Sequence, residues 1–151
     1  MAIQLVVFTL NEEEYGLDVS AVNGILRSKK FKIQSMPGVA KTIAGMINLR
    51  GQVNYIFNLR AKFGLPDEEL AEESKLIMLN VNQSNSGCIV DEVTDIVKLN
   101  DEDIQPQPAF VSRSSDNYIQ GIGKLQDRLI IILDPEKLLA VEELPLMATA
   151  G

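Results

Sequence analysis

Apolar residues fall in short runs, either continuous or alternating with polar ones, and clusters of Gly, Pro, Asn, Asp and Ser separate the runs. That is the pattern of strands bounded by turns. It predicts strands at Leu5 to Leu10, Ile25 to Ile33, Met46 to Leu49, Val53 to Phe57, Lys75 to Val81, Cys88 to Val90, Ile96 to Leu99, Ile119 to Leu125 and Arg128 to Leu133. Asn11-Glu12-Glu13-Glu14 and the polar run from Asn82 to Gly87 read as turns. Pro37-Gly38 and Pro106-Gln107-Pro108 read as loops, because proline lacks a backbone donor and resists central strands. One helix start is clear: in Asp134-Pro135-Glu136-Lys137 the aspartate can cap exposed amides, and proline suits the first turn. Many short strands and few helices predict a compact, mainly β protein built as barrels or a sandwich.

The pattern also repeats. At an offset of 71, Leu5 to Asn11 falls on Leu76 to Asn82, Gly16 on Gly87, and Val19, Val22, Ile25 and Leu26 on Val90, Val93, Ile96 and Val97. At an offset of 76, the run Gly45 to Val53 falls on Gly121 to Leu129, and both runs lead into apolar strands. Two similar modules are implied, at about residues 5–63 and 76–139, within one domain of 1–151. Exchange of strands between them is left open.

Charge divides unevenly along the chain. Residues 1–64 carry eight Lys or Arg against four Asp or Glu, and residues 65–151 carry six against seventeen. Such asymmetry steers partners without naming one. The one basic cluster, Arg27, Lys29, Lys30 and Lys32 around Phe31, would be split between two faces of a strand. An acidic chain poor in aromatics does not suit nucleic acid, and a solvated edge is the better reading. No apolar run approaches the roughly 20 residues of a membrane span, and no signal segment precedes the first strand, so a cytoplasmic protein with no direct membrane insertion is expected.

Catalytic chemistry finds little support. The chain has no histidine, which removes nucleophiles activated by histidine and mixed His/Cys zinc sites. Asp91, Glu92 and Asp95 read as surface charge, since neighbours on a strand point apart. Gly121-Ile122-Gly123 lacks the third glycine and following helix of a phosphate loop. Asp67 to Glu73 reads as a solvated linker or short helix, and the lone Cys88 as a buried structural thiol. Neither cofactor nor metal is expected. Arg50-Gly51 is the exception to this plainness: a charge between two apolar strands has no use in a core, and glycine permits the tight turn that would display it. Arg50 either contacts a partner through its planar fork or pins neighbouring loops.

Phe8-Thr9-Leu10, Tyr15 to Val19, Gly45 to Gly51 with its Asn48-Leu49-Arg50-Gly51, Asn58-Leu59-Arg60 and Val90-Asp91-Glu92-Val93 together resemble the CheW family of bacterial chemotaxis coupling proteins. Ile104 to Pro108 and Arg128 to Asp134 add later landmarks, and the resemblance spans about residues 5–140. It implies two SH3-like five-stranded β-barrels packed together. It also implies a noncatalytic scaffold that couples the cytoplasmic tips of chemoreceptors to the regulatory domain of the CheA histidine kinase, beside other CheW-like domains in membrane-associated receptor arrays. The alternative is a CheW-like regulatory or sequestering module of another kinase pathway. By the same resemblance Val22, Gly24, Gly45, Arg50, Gly51, Gly87 and Ile96 are the partner-binding or supporting positions. The chain departs from the family pattern where Gly24 replaces an acidic residue, Asn54 a proline and Asn58 an aspartate.

Overall fold

The structure is a computed structural model that describes residues 2–81, 84–107 and 118–139. The turn residues Asn82 and Gln83 and the expected loop residue Pro108 lie outside the described residues. The strands are β1 (Ile3–Leu10), β2 (Glu13–Asp18), β3 (Val22–Arg27), β4 (Ile43–Leu49), β5 (Gln52–Asn58), β6 (Lys75–Val81), β7 (Ser84–Val90), β8 (Glu92–Leu99), β9 (Ile104–Pro106), β10 (Ile119–Leu125) and β11 (Arg128–Leu133). Two single helical turns, α1 (Leu59–Lys62) and α2 (Pro135–Leu138), follow β5 and β11.

These strands form two sheets, and each sheet takes strands from both halves of the chain. One runs β8-β1-β2-β11-β10-β9 and the other β3-β6-β7-β5-β4. The hairpin β1-β2 thus sits among strands of the second half, and β6-β7 among strands of the first. The duplication persists down to single residue pairs. Val7 faces Asp95 as Met78 faces Gly24, and the irregularity beside each pair recurs at the same place. Ile131 runs parallel to Tyr15 as Tyr55 does to Ser86. Both offsets in the sequence are therefore offsets in the fold.

Alternation along the central strands divides the apolar residues among three cores. Leu5 and Val7 of β1 point into the six-stranded subdomain with Val97, Leu99, Ile130 and Ile132, while Val6, Phe8 and Leu10 point into the seam between the sheets. In β6, Leu76 and Met78 fill the five-stranded subdomain with Ile47 and Ile56, and Ile77, Leu79 and Val81 meet the seam. Each large aliphatic side chain so buried contributes about 1.5–3 kcal/mol. Cys88 lies fully buried in the seam, and burial pushes its thiol up to about 12, as suits a structural residue.

Several expected boundaries move. The strand expected over Ile25 to Ile33 stops at Arg27 and passes into a 3-10 turn at Ser28–Lys30. Buried Ser28 causes this: its N–H and its hydroxyl both donate to the Ser74 carbonyl, at 3.2 and 3.1 Å, which pulls the chain out of the sheet. Arg27, Lys29, Lys30 and Lys32 all end exposed on or beside this turn instead of alternating across a strand. Gln34 then rejoins the β4 edge through two hydrogen bonds with Met46 of 2.9 Å each. Asn11-Glu12 alone makes the first turn, with φ of 53° and 72°, and β2 starts at Glu13, where the sequence reading saw only turn. The six-stranded sheet exceeds the expected five because Ile104–Pro106 adds β9. Asp67 to Glu73 contains no helix.

A candidate partner-binding surface

Strands β4 and β5 pair up to Leu49 and Gln52, so their connection is only two residues, Arg50 and Gly51. Both lie in the left-handed region, with φ of 54° and 82°, as a type I′ hairpin turn requires. Asn48 steadies the turn by accepting the Gly51 N–H at 3.0 Å. Glycine takes this conformation freely, whereas a residue with a Cβ is held there at a cost of roughly 1–2 kcal/mol. Arg50 is nevertheless the residue at the tip. It is exposed, and no hydrogen bond or ion pair joins its guanidinium to the described residues.

Beside Arg50 opens a groove of about 220 Å³. It is lined by the apolar Leu26, Leu49, Met78 and Leu79 and by Asn23, Gly24, Gln52, Asn54 and Asn85. Gly24 and Arg50, far apart in sequence, thus share one site. Val22 lies next to it, opposite Leu79 in the β3-β6 ladder. Gly45 and Gly87 are close-packed positions in β4 and β7 of the same sheet. A Cβ on Gly45 would stand 2.1 Å from the Gln34 carbonyl oxygen, and one on Gly87 would stand 2.6 Å from the Met78 sulfur. Ile96 is elsewhere, 59% exposed on β8 of the other sheet, where it corresponds to exposed Ile25 in the repeat. Of the two other departures from the family pattern, Asn54 is buried and donates to the Gln52 carbonyl at 3.2 Å, and Asn58 caps α1 by accepting the Ala61 N–H at 3.2 Å.

The carboxylates read as free surface charge are mostly engaged. Buried Arg60 donates to both oxygens of Asp91 at 3.0 and 2.6 Å, to the Pro66 carbonyl at 2.7 Å, and pairs with Glu68 at 2.9 Å. Asp91 also accepts the Asn11 N–H at 2.9 Å, so one ion pair gathers α1, the linker and both adjoining turns. Hydrogen bonding to Asp91 holds the Arg60 pKa above its ordinary value. In the six-stranded subdomain, Arg128 bonds Glu14 at 2.6 and 3.1 Å and Asp95 at 3.0 and 3.1 Å. The Arg128 contact holds the Asp95 carboxyl below the usual aspartate range, against an opposing effect of burial. Sequence reading missed both clusters. Asn58-Leu59-Arg60, Val90-Asp91-Glu92-Val93 and the run from Arg128 to Asp134 carried the signal, as landmarks without an assigned contact. Among the described residues, no group of three or more His, Cys, Asp or Glu is placed to hold a metal ion.

The CheW-like domain profile matches residues 4–143. The chain belongs to the CheW-like family. Among its relatives, the chemotaxis protein CheW of Klebsiella aerogenes is 37% identical over 145 residues, covering 95% of this chain and 86% of that protein. CheW of Bacillus subtilis is 34% identical over 139 residues, covering 92% and 88%. The crystal structure of the scaffolding protein TtCheW from Thermoanaerobacter tengcongensis superposes with a TM-score of 0.82 at 30% identity, covering 95% of this chain and 91% of that one. The chain is thus a CheW-like scaffold of two packed β subdomains, and the family is noncatalytic.

Proposed function

We propose that this protein couples the cytoplasmic tips of chemoreceptors to the regulatory domain of a CheA histidine kinase, as a CheW-type adaptor recruited to receptor arrays at the membrane. The match to chemotaxis scaffolds over nearly the whole chain, in sequence and in fold, carries this reading. Val22, Gly24, Arg50 and Gly51, braced by Gly45 and Gly87, form the contact on the five-stranded sheet, and Ile96 belongs to a second contact on the other sheet. Coupling follows if these surfaces bind the kinase-on and kinase-off arrangements unequally, since a partner shifts an equilibrium only by its differential affinity. The adaptor works from the cytoplasm; no helix among the described residues is long and apolar enough to cross a membrane.

Reconstitution tests the reading. Receptor cytoplasmic fragments and CheA, assembled on vesicles with this protein, should show kinase activity well above that of the mixture lacking it, and attractant should lower it. If the purified protein binds neither the receptor fragment nor the CheA regulatory domain, the reading is wrong, and a module of another kinase pathway takes its place.

A further inference from the structure

The two subdomains repeat each other, but their cores are closed differently at one end. In the five-stranded subdomain Phe31, Ile33 and Ile89 all pack on the core that holds Leu76 and Ile56. Through the offsets of 71 and 76 these five positions correspond to Glu102, Ile104, Asp18, Leu5 and Ile132. The ladders carry the match. Asp18 faces Leu5 as Ile89 faces Leu76, Ile132 faces Gly121 as Ile56 faces Gly45, and Gln105 faces Ile122 as Gln34 bridges to Met46. Two of the five positions in the six-stranded subdomain thus bear a carboxylate in place of an apolar side chain. Glu102 is exposed where Phe31 packs on the core, and Asp18 stands where Ile89 does.

A pocket of about 210 Å³ opens at this place. Leu5 and Ile132, both core residues, line it together with Ile3, Ile104 and Gly121. Interiors leave few voids larger than a water molecule, and an apolar cavity of about 150 Å³ accepts a benzene ring. The space therefore suits one aromatic ring, the group that Phe31 supplies in the other subdomain. Asp18 is the only charged residue among the described residues that line the pocket. Its Oδ1 accepts the N–H and the hydroxyl of Ser20 at 2.9 and 2.8 Å, whereas no hydrogen bond or ion pair engages Oδ2 among the described residues. Asp101, Glu102 and Asp103, on the 3-10 turn that leads into Ile104, add to the negative potential.

We infer that this pocket is a binding site for a small aromatic amine, a single ring joined by a short chain to an ammonium group. The ring lies against Leu5, Ile104 and Ile132, in the space whose counterpart Phe31 fills. The ammonium donates to Asp18 Oδ2 in a charge-assisted bond, the stronger class of polar contact. The same carboxylate repels an aromatic acid. The pocket belongs to the other sheet from Arg50 and its groove and calls for no partner protein, so the inference stands independently of the scaffold reading.

The test is a titration of the full-length protein with phenethylammonium chloride, followed through the amide resonances of Leu5, Gly121 and Ile132. Saturable shifts are expected at all three, with a melting temperature that rises with ligand concentration. Propylammonium, which lacks the ring, and hydrocinnamate, which carries the opposite charge, should each bind at least about tenfold more weakly. Asp18→Asn keeps an oxygen able to cap the Val19–Ala21 turn; it should weaken the amine at least about threefold and leave phenethyl alcohol unchanged. Glu102→Phe copies the other subdomain, so its ring should fill the pocket, abolish the shifts and raise the melting temperature of the free protein. If that variant does not fold, the Asp18→Asn comparison decides alone. Absence of saturable shifts in the parent, equal affinity for hydrocinnamate or for phenethyl alcohol, an amine affinity unchanged in Asp18→Asn, or parent-like binding by a folded Glu102→Phe protein would overturn the inference.

Discussion

Arg50 shows most sharply the difference between a residue kept for the fold and one kept for its side chain. Asn or Gly would satisfy the left-handed turn with less strain, so Arg50→Asn should melt at or slightly above the parent temperature. Arg50→Ala should stay within about 4 °C of it, because an exposed charge without a partner contributes little to stability. Both should lose receptor-fragment or CheA affinity at least several-fold, and lysine should restore only part of it, since it keeps the charge and loses the fork. Calorimetry beside a binding titration separates the outcomes: a melt that collapses in Arg50→Ala would mean a pinning role that the fold does not display. The glycines divide differently. Gly45→Ala forces a Cβ against the Gln34 carbonyl, where backbone cannot yield, so a loss of about 2 kcal/mol or more is expected in denaturant unfolding. At this scale the Arg-Gly turn was legible, because a charge between apolar runs is conspicuous. The gap that Glu102 leaves where Phe31 packs in the other subdomain was not, because a missing side chain has meaning only once the strands around it are in place.

The same limit governs the elements. β1 and β6 were readable as strands because they are buried on both faces, and burial on both faces writes a continuous apolar run. β2 was hidden, since its exposed end is Glu13-Glu14 and its two-residue turn uses Asn-Glu rather than a glycine pair. Substitutions at central strands should follow the three-core division: Val7→Asp and Leu79→Asp, both at positions with no exposure, should prevent folding. Ile131→Asp should be milder because that side chain is only partly buried against the seam, while its neighbours Ile130 and Ile132 fill the core of the six-stranded subdomain. Arg128 links β11 to β2 and β8, and its value should depend on pH. Asp95 has its folded pKa depressed by Arg128, so stability from the contact is fully present above the ordinary aspartate value of about 4 and is lost as pH falls through the lower folded value. Arg128→Met should therefore be less stable than the parent at pH 7, with the gap narrowing below about pH 4 in urea titrations. A gap that stays constant with pH would assign the loss to packing of the arginine stem.

For the whole molecule the two offsets foretold a duplicated fold but not how the copies are wired. Periodicity reports which segments resemble each other; it cannot report which copy of a hairpin closes which sheet. The fold answers with exchange, because β1 and β2 pair with β8 and β11, and β6 and β7 pair with β3 and β5. Neither half of the chain then contains a complete sheet. A fragment of residues 1–65 would hold β3, β4 and β5 without the β6-β7 hairpin that joins them, and would expose the seam faces of β1 that Ile77, Leu79 and Val81 normally cover. A fragment of 66–151 has the mirror defect. Each alone should be largely unfolded by circular dichroism, because fragments of this size with an open apolar face bury too little to offset their chain entropy. Mixed in equal amounts, the two should associate and recover a cooperative melt, since the β1-β8 and β3-β6 ladders cross between them and the Arg60–Asp91 pair adds a partly buried ionic contact. A fragment that folds by itself with native-like dispersion in its amide spectrum would show that the subdomains can close on their own strands, and that the exchange is a product of the intact chain rather than a condition of stability.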